Sequence, residues 1–151
     1  MQARPARPDD AGVIVQLAQD AADSMPERRG GPGLLERWLG GASTDQGLGA
    51  AIAHLRTYQR MIFVIDDAAG VVAGVGIAWV AEHAGWFAVW IDPKARHQGL
   101  GPSTAEACLR WLRDQGCQTI DSLALPGDRE MKNLLEKAGF KARLLTLRRS
   151  E

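Results

Sequence analysis

Cysteine is scarce in this 151-residue sequence, and neither sign of charge prevails. Its two cysteines, Cys108 and Cys117, form no CxxC pair or Cys/His cluster, so neither a metal site nor a thiol redox motif is indicated. The 18 basic residues balance the 18 acidic ones, which removes the general attraction that draws proteins to nucleic acids and anionic membranes. The composition thus argues against metal, redox and nucleic-acid-binding classes.

Long hydrophobic runs are also missing. The chain reaches Asp9 and Asp10 before any apolar stretch, and no segment approaches the roughly 20 apolar residues of a membrane helix. We therefore predict neither an export signal nor a membrane span. Scarce cysteine suits a reducing compartment, so the expected location is the cytoplasm.

Enough apolar material is present for one ordinary core, since 46% of the residues are hydrophobic and 24% are charged. A folded chain of this size buries roughly 70% of the surface that it exposes when unfolded, so it needs no disulfide or metal for stability. We predict a single domain over residues 1–151.

Hydrophobic spacing predicts helices and strands in a mixed order. Helices are expected at 10–22, 48–59, 101–114 and 128–138, with a short helical pattern at 34–39 inside a loop-rich segment, 23–47. Strands are expected at 61–65, 71–82, 86–91, 118–125 and 140–148, the first three as an antiparallel meander whose second turn is 83–85. An aspartate in the run Pro8-Asp9-Asp10 could cap the first helix. The fold class is α+β, or mixed α/β.

The most informative segment is 89–101, which reads as a strand, a polar turn with two glycines, and a helix. Such a junction points several main-chain N–H groups and a helix N-terminus at one place. Gly99 and Gly101 let a phosphate approach the main chain closely, while Lys94, Arg96 and His97 add positive charge. A diphosphate is the expected ligand. Two glycines alone are weak evidence, and the full P-loop and dinucleotide patterns are both absent.

Arg96-His97-Gln98-Gly99-Leu100-Gly101 matches the signature of the GNAT superfamily of acetyl-CoA-dependent N-acetyltransferases: Arg or Gln, two residues, Gly, one residue, Gly or Ala. The sequence strongly resembles this family over nearly its whole length, including the opening at 7–11, the strand at 70–74 and the close at 134–140. The resemblance implies the GNAT fold, a central, mostly antiparallel mixed sheet with helices on both faces and one splayed strand pair.

The resemblance also implies a site for acetyl-CoA. Backbone groups of Val89, Trp90 and Ile91 would face the pantetheine arm and the thioester, and residues 97–102 would hold the diphosphate. The implied binding set is Val89, Trp90, Ile91, Arg96, His97, Gln98, Gly99, Leu100, Gly101 and Pro102. Pro102 departs from the family pattern, because it has no N–H to donate.

Proton transfer is less clearly encoded. Leu135 stands where the family often has a tyrosine that protonates the leaving thiolate, and Asp128 stands where an asparagine is common. A thiolate with a pKa near 8.5 is a tolerable leaving group without an acid. For the base that relieves the amine of its proton we expect Glu82 first and His83 second, although carboxylates at hairpin ends are usually only solvated.

Three other side chains carry open alternatives. Asp121 alternates with apolar neighbours, so it is either a surface residue or a base at the centre of the sheet. Trp86 and Trp90 share one face of a strand; such rings are usually core, yet one of them could line an acyl or amine pocket.

We therefore expect an enzyme that transfers an acetyl group to a primary amine of a small molecule or a protein by direct attack in a ternary complex. The rival is a non-catalytic acyl-CoA sensor or interaction module, suggested by Leu135 and Pro102; a structural domain without ligand is the third reading. A homodimer is compatible with the resemblance, and no metal is expected. The loop-rich segment 23–47 carries both signs of charge and does not identify the acceptor.

Overall fold

The computed structural model describes residues 1–31 and 58–149, so the helical patterns expected at 34–39 and 48–57 lie outside the described residues. The elements are β1 (Arg4–Pro5), α1 (Ala11–Ser24), β2 (Gln59–Asp66), β3 (Val72–Ala81), β4 (Ala84–Ile91), α2 (Leu100–Asp114), β5 (Thr119–Asp121) and α3 (Arg129–Lys137). Single 3-10 turns precede α1, at Pro8–Asp10, and follow β4, at Pro93–Ala95.

The strands form one mixed sheet in the order β1-β2-β3-β4-β5. All neighbours are antiparallel except β4 and β5, which are parallel and are connected through α2. Helix α2 covers one face of the sheet and α1 lies against the other. The predicted α+β class and the mostly antiparallel sheet are confirmed.

Helix α2 forms the larger core because its apolar residues repeat every three or four positions. Ala105, Cys108 and Leu112 pack there against Phe87 and Val89 of β4. Burial raises the pKa of the Cys108 thiol to about 12. Cys108 is therefore a small core residue with no thiolate to act as a nucleophile, as the sequence indicated.

An ion-pair cluster fastens the amino terminus to α1. Arg4 donates from Nη1 and Nη2 to the Asp10 carboxylate at 2.8 and 3.0 Å, and the Arg7 N–H donates to the same group at 2.7 Å. These bonds lower the pKa of Asp10 to about 2. The expected cap on α1 is thus corrected: the Asp10 carboxylate accepts from residues before it and caps no amide of the helix.

The largest differences from the prediction concern one turn, two strands and the segment after α3, and β1 was not predicted. The β3–β4 turn is the two residues Glu82 and His83, with Ala84 and Gly85 already in β4. Strand β2 begins at Gln59, inside the expected helix 48–59, and β5 has three residues where eight were expected. Residues 140–149 form no strand, and Leu144, Leu145 and Leu147 in that segment are exposed. A β-prone segment needs a partner strand, and none of the described strands pairs with it.

Candidate functional site

Strands β4 and β5 separate soon after they meet. They pair only from Ala84 opposite Thr119 to Trp86 opposite Asp121, while β4 runs on to Ile91. The last link is the Ser122 hydroxyl, which donates to the Phe87 carbonyl at 2.9 Å. Beyond it the outer edge of β4 has no strand beside it among the described elements. This is the splayed pair that the fold class requires.

The register of the sheet determines which main-chain groups face the splay. The Asp92 N–H donates to the Ala73 carbonyl at 2.8 Å, and in an antiparallel ladder every second residue shares that orientation. Trp90 therefore directs its N–H and C=O towards β3, whereas Val89 and Ile91 direct theirs into the splay. Arg96 Nε reaches the Ile91 carbonyl at 3.4 Å. Trp90 can contribute only its side chain to a ligand in the splay.

The turn that leads from β4 into α2 forms a cradle of free amides. His97 and Gly99 both have left-handed backbone, with φ of 65° and 78°. The main-chain N–H groups of His97, Gly99, Leu100 and Gly101 donate to no group in the part of the chain that the structure describes, whereas that of Gln98 closes a turn at 96–97. Together with the positive end of the α2 dipole, they suit a phosphate group. Pro102, the next residue, adds no donor.

Positive charge lies beside this cradle. The Arg96 guanidinium stacks over the Trp90 ring at 5.1 Å from its centroid, which fixes the arginine at the outer edge of β4. Trp90 Nε1 is buried and has no hydrogen-bond partner among residues 1–31 and 58–149. His97 Nε2 lies 3.5 Å from the Glu130 carboxylate across the mouth of the site.

The splay and the cradle open into one cleft of about 710 Å³. Its described walls come from α1, the α1-side face of β2 to β4, the start of α2, the loop at 123–128 and one side of α3. An ion pair closes one wall: Arg28 Nη2 lies 2.6 Å from Asp128 Oδ2, while Asp128 Oδ1 caps α3 by accepting the Met131 N–H at 3.0 Å. Leu135 is buried in the core and presents no proton donor.

The two expected catalytic residues lie outside this cleft. Glu82 and His83 form the exposed tip of the β3–β4 hairpin, and neither lines the cleft. Ala84, the next residue, is five positions from Val89, or about 17 Å along an extended strand. Asp121 is exposed at the end of β5 and does not line the cleft either. None of the three side chains lines the cleft, so the roles expected for them stay predictions.

Changing both hairpin residues should therefore leave the catalytic rate unchanged. We expect a Glu82→Gln, His83→Ala double variant to keep kcat/KM within about twofold of the parent across pH 6 to 9, because neither side chain reaches the splay. The measurement is steady-state release of the thiol product at several pH values. A tenfold loss in kcat/KM, or a shift of its pH profile, would indicate that one of these residues is the base.

Several contacts in the cleft were not predicted from the sequence. Arg28 and Asp128 are one hundred positions apart, and nothing in the sequence pairs them. The cleft side of α3 carries three polar residues at helical spacing, Glu130, Asn133 and Lys137. This spacing is present in the sequence, but the prediction used only the apolar residues of the helix.

Two further observations concern the described residues alone. Within 1–31 and 58–149, no helix is both long and apolar enough to cross a membrane. The same residues contain no group of three His, Cys, Asp or Glu side chains arranged to hold a metal ion.

Known proteins with similar sequences or structures agree with this geometry. The family described as "Acetyltransferase (GNAT) domain" matches residues 2–141. A ribosomal-protein-alanine N-acetyltransferase from Brucella melitensis aligns with a TM-score of 0.68 at 16% identity, covering 93% of this chain and 85% of its own. A putative acetyltransferase from Salmonella typhimurium, solved with its cofactor acetyl-CoA, aligns with a TM-score of 0.65 at 18% identity. The alignment covers 93% of this chain and 79% of the other. Glucosamine-6-phosphate N-acetyltransferase from Arabidopsis thaliana aligns with a TM-score of 0.62 at 19% identity, covering 99% of this chain and 97% of its own. No curated protein matches the sequence.

Proposed function

Because the chain belongs to the GNAT acetyltransferase family, we propose that it transfers the acetyl group of acetyl-CoA directly to a primary amine within a ternary complex. When bound, acetyl-CoA supplies the thioester carbonyl that the amine attacks and the thiol that leaves. The acceptor is a small molecule or a protein amine, the two kinds of acceptor named for structural relatives in Arabidopsis thaliana and Brucella melitensis.

The observation that carries this proposal is that two sets of free main-chain donors adjoin one cleft. Val89 and Ile91 face the splay, and the N–H groups of His97, Gly99, Leu100 and Gly101 lie at its end. The first N–H groups of a helix have no acceptor within the helix, and here they line a cleft at a glycine that lets an anion approach the main chain. An extended arm that ends in a diphosphate fits this row, with the arm along β4 and the phosphates at Gly99.

Main-chain polarisation would supply much of the rate. The Val89 N–H is fixed by the β3–β4 ladder and points into the splay, where it could donate to a thioester carbonyl that gains negative charge. A donor held in place needs no reorganisation during the reaction, and removing one such donor typically slows an enzyme by about 100-fold or more. Holding both reactants in one cleft adds a further entropic advantage.

Proton transfer is proposed to run through water in the cleft. Leu135 cannot protonate the leaving thiolate, which is tolerable because a thiol pKa near 8.5 already makes that group stable. Asp128, a cleft carboxylate, is already paired with Arg28.

The proposed location is the cytoplasm. Cys108 and Cys117 are both free thiols, which agrees with that location.

A second candidate is an acyl-CoA sensor without catalysis, favoured by the buried Leu135 and by the donor lost at Pro102. Release of free thiol from acetyl-CoA separates the two, measured over a panel of small amines and peptides with free N-termini. We expect one class to raise release at least tenfold above the amine-free control. Saturable acetyl-CoA binding with no acceleration by any amine class would support the sensor instead.

A further inference from the structure

One acidic side chain stands where an anion has to bind. Glu130 Oε1 lies 3.5 Å from His97 Nε2, and both residues line the cleft at its mouth. The main-chain N–H of that same His97 belongs to the free cradle. A carboxylate is thus held within one side-chain length of the proposed diphosphate position.

Glu130 contributes little to the fold. Its side chain is 60% exposed and that of His97 is 81% exposed, and ion pairs of this kind are worth little in water. Asp128 already caps α3, so Glu130 is not needed to begin the helix. A carboxylate in the first turn interacts favourably with the helix dipole, but an amide at the same position would lose only a small part of that stability.

We propose that Glu130 weakens the binding of acetyl-CoA and of the product CoA by opposing the charge of their phosphates. The inference rests on the proposed function and adds a specific role for a residue on α3. Glu130 acts in two ways: it repels the diphosphate directly and it offsets the positive charge of His97 when that ring is protonated. Weaker binding of the product lets the enzyme release CoA faster.

The chain offers a matched control on the same helix. Glu136 Oε1 lies 3.6 Å from Lys132 Nζ, a similarly exposed ion pair, and Glu136 does not line the cleft. Glu130→Gln and Glu136→Gln therefore remove the same charge from the same helix, but only one of them removes it beside the cradle.

The test compares dissociation constants for acetyl-CoA and for acetyl-pantetheine, which has the same thioester arm but no phosphate. We expect Glu130→Gln to bind acetyl-CoA about three- to tenfold more tightly than the parent, and CoA to dissociate more slowly by a similar factor. The gain should shrink at high salt, because the side chain is exposed. Glu136→Gln should match the parent, and neither variant should change the binding of acetyl-pantetheine.

If the parent binds acetyl-CoA and Glu130→Gln binds it equally well or more weakly, the inference about Glu130 is wrong but the proposed function stands. An equal gain with acetyl-pantetheine would also overturn it, since the phosphates would then be irrelevant. If the parent protein binds no acetyl-CoA, the proposed function fails and takes this inference with it. Melting temperatures of the three proteins show whether any change in affinity reflects folding.

Discussion

Replacing Gly99 by tryptophan is expected to abolish detectable binding of acetyl-CoA, a loss of about 100-fold or more in affinity. A Cβ built on Gly99 meets no heavy atom within 4 Å, and the residue lines the cleft, so a side chain there projects into open space beside the free amides. An indole in that space would exclude the diphosphate. Thermal-shift and calorimetric titrations with acetyl-CoA measure the effect.

Gly116 provides the control for backbone strain. Its φ of 80° nearly equals the 78° of Gly99, and a Cβ there also meets nothing within 4 Å. It follows the C-terminus of α2, about 22 Å from the other end of that helix. Gly116→Trp should lower the melting temperature as much as Gly99→Trp does, because any L side chain is strained at such a φ, yet it should bind acetyl-CoA normally. If both variants bind acetyl-CoA equally well, the diphosphate does not bind at Gly99.

Adding a single methyl group to Gly76 is expected to destabilise the fold by about 2–3 kcal/mol, which lowers the melting temperature by roughly 4–12 °C for a chain of this size. A Cβ at this position in β3 would lie 2.6 Å from Thr104 Cγ2 and 2.9 Å from Cys108 Sγ. Both partners are fully buried in α2, so the helix would have to move away from the sheet. The start of α2 carries the cradle, so acetyl-CoA binding should weaken as well.

Two comparisons isolate that contact. Gly12→Ala adds the same methyl group to α1 in open space and should be neutral or slightly stabilising. Thr104→Ser removes the nearest methyl group while keeping the hydroxyl bond to the Leu100 carbonyl at 2.8 Å, so it should recover part of the loss in a Gly76→Ala background. No recovery would mean that the steric conflict lies elsewhere.

The cradle could be predicted from sequence because its physics is local. The strand, the glycine turn and the helix start are consecutive, so their residue types predict a helix N-terminus at this place, and the resemblance to the GNAT family adds the ligand. Gly85 misled the prediction of the β3–β4 turn: it lies inside β4, where a Cβ would come within 3.0 Å of Leu112 and 3.2 Å of Cys117, so close packing selects the glycine. The actual turn uses Glu82 and His83 at positive φ, where Asn and Gly are usual.

Long-range features of the site were not predictable in this way. The Arg28–Asp128 pair joins the segment after α1 to the start of α3 only once the sheet is folded. The separation of β4 from β5 likewise depends on both strands. The strand-like pattern of residues 118–125 continues past Asp121, where the pairing ends. Glu82 stays a prediction as the base: it lies at the hairpin tip, outside the cleft, because β4 already begins at Ala84.

The most direct test of the central claim is the amide resonance of His97, Gly99, Leu100 and Gly101, followed by proton–nitrogen NMR during titration with acetyl-CoA. If these amides hold the diphosphate, their signals should move strongly with acetyl-CoA and with CoA, and only weakly with acetyl-pantetheine. Saturable binding of acetyl-CoA that leaves all of these signals in place would contradict the account.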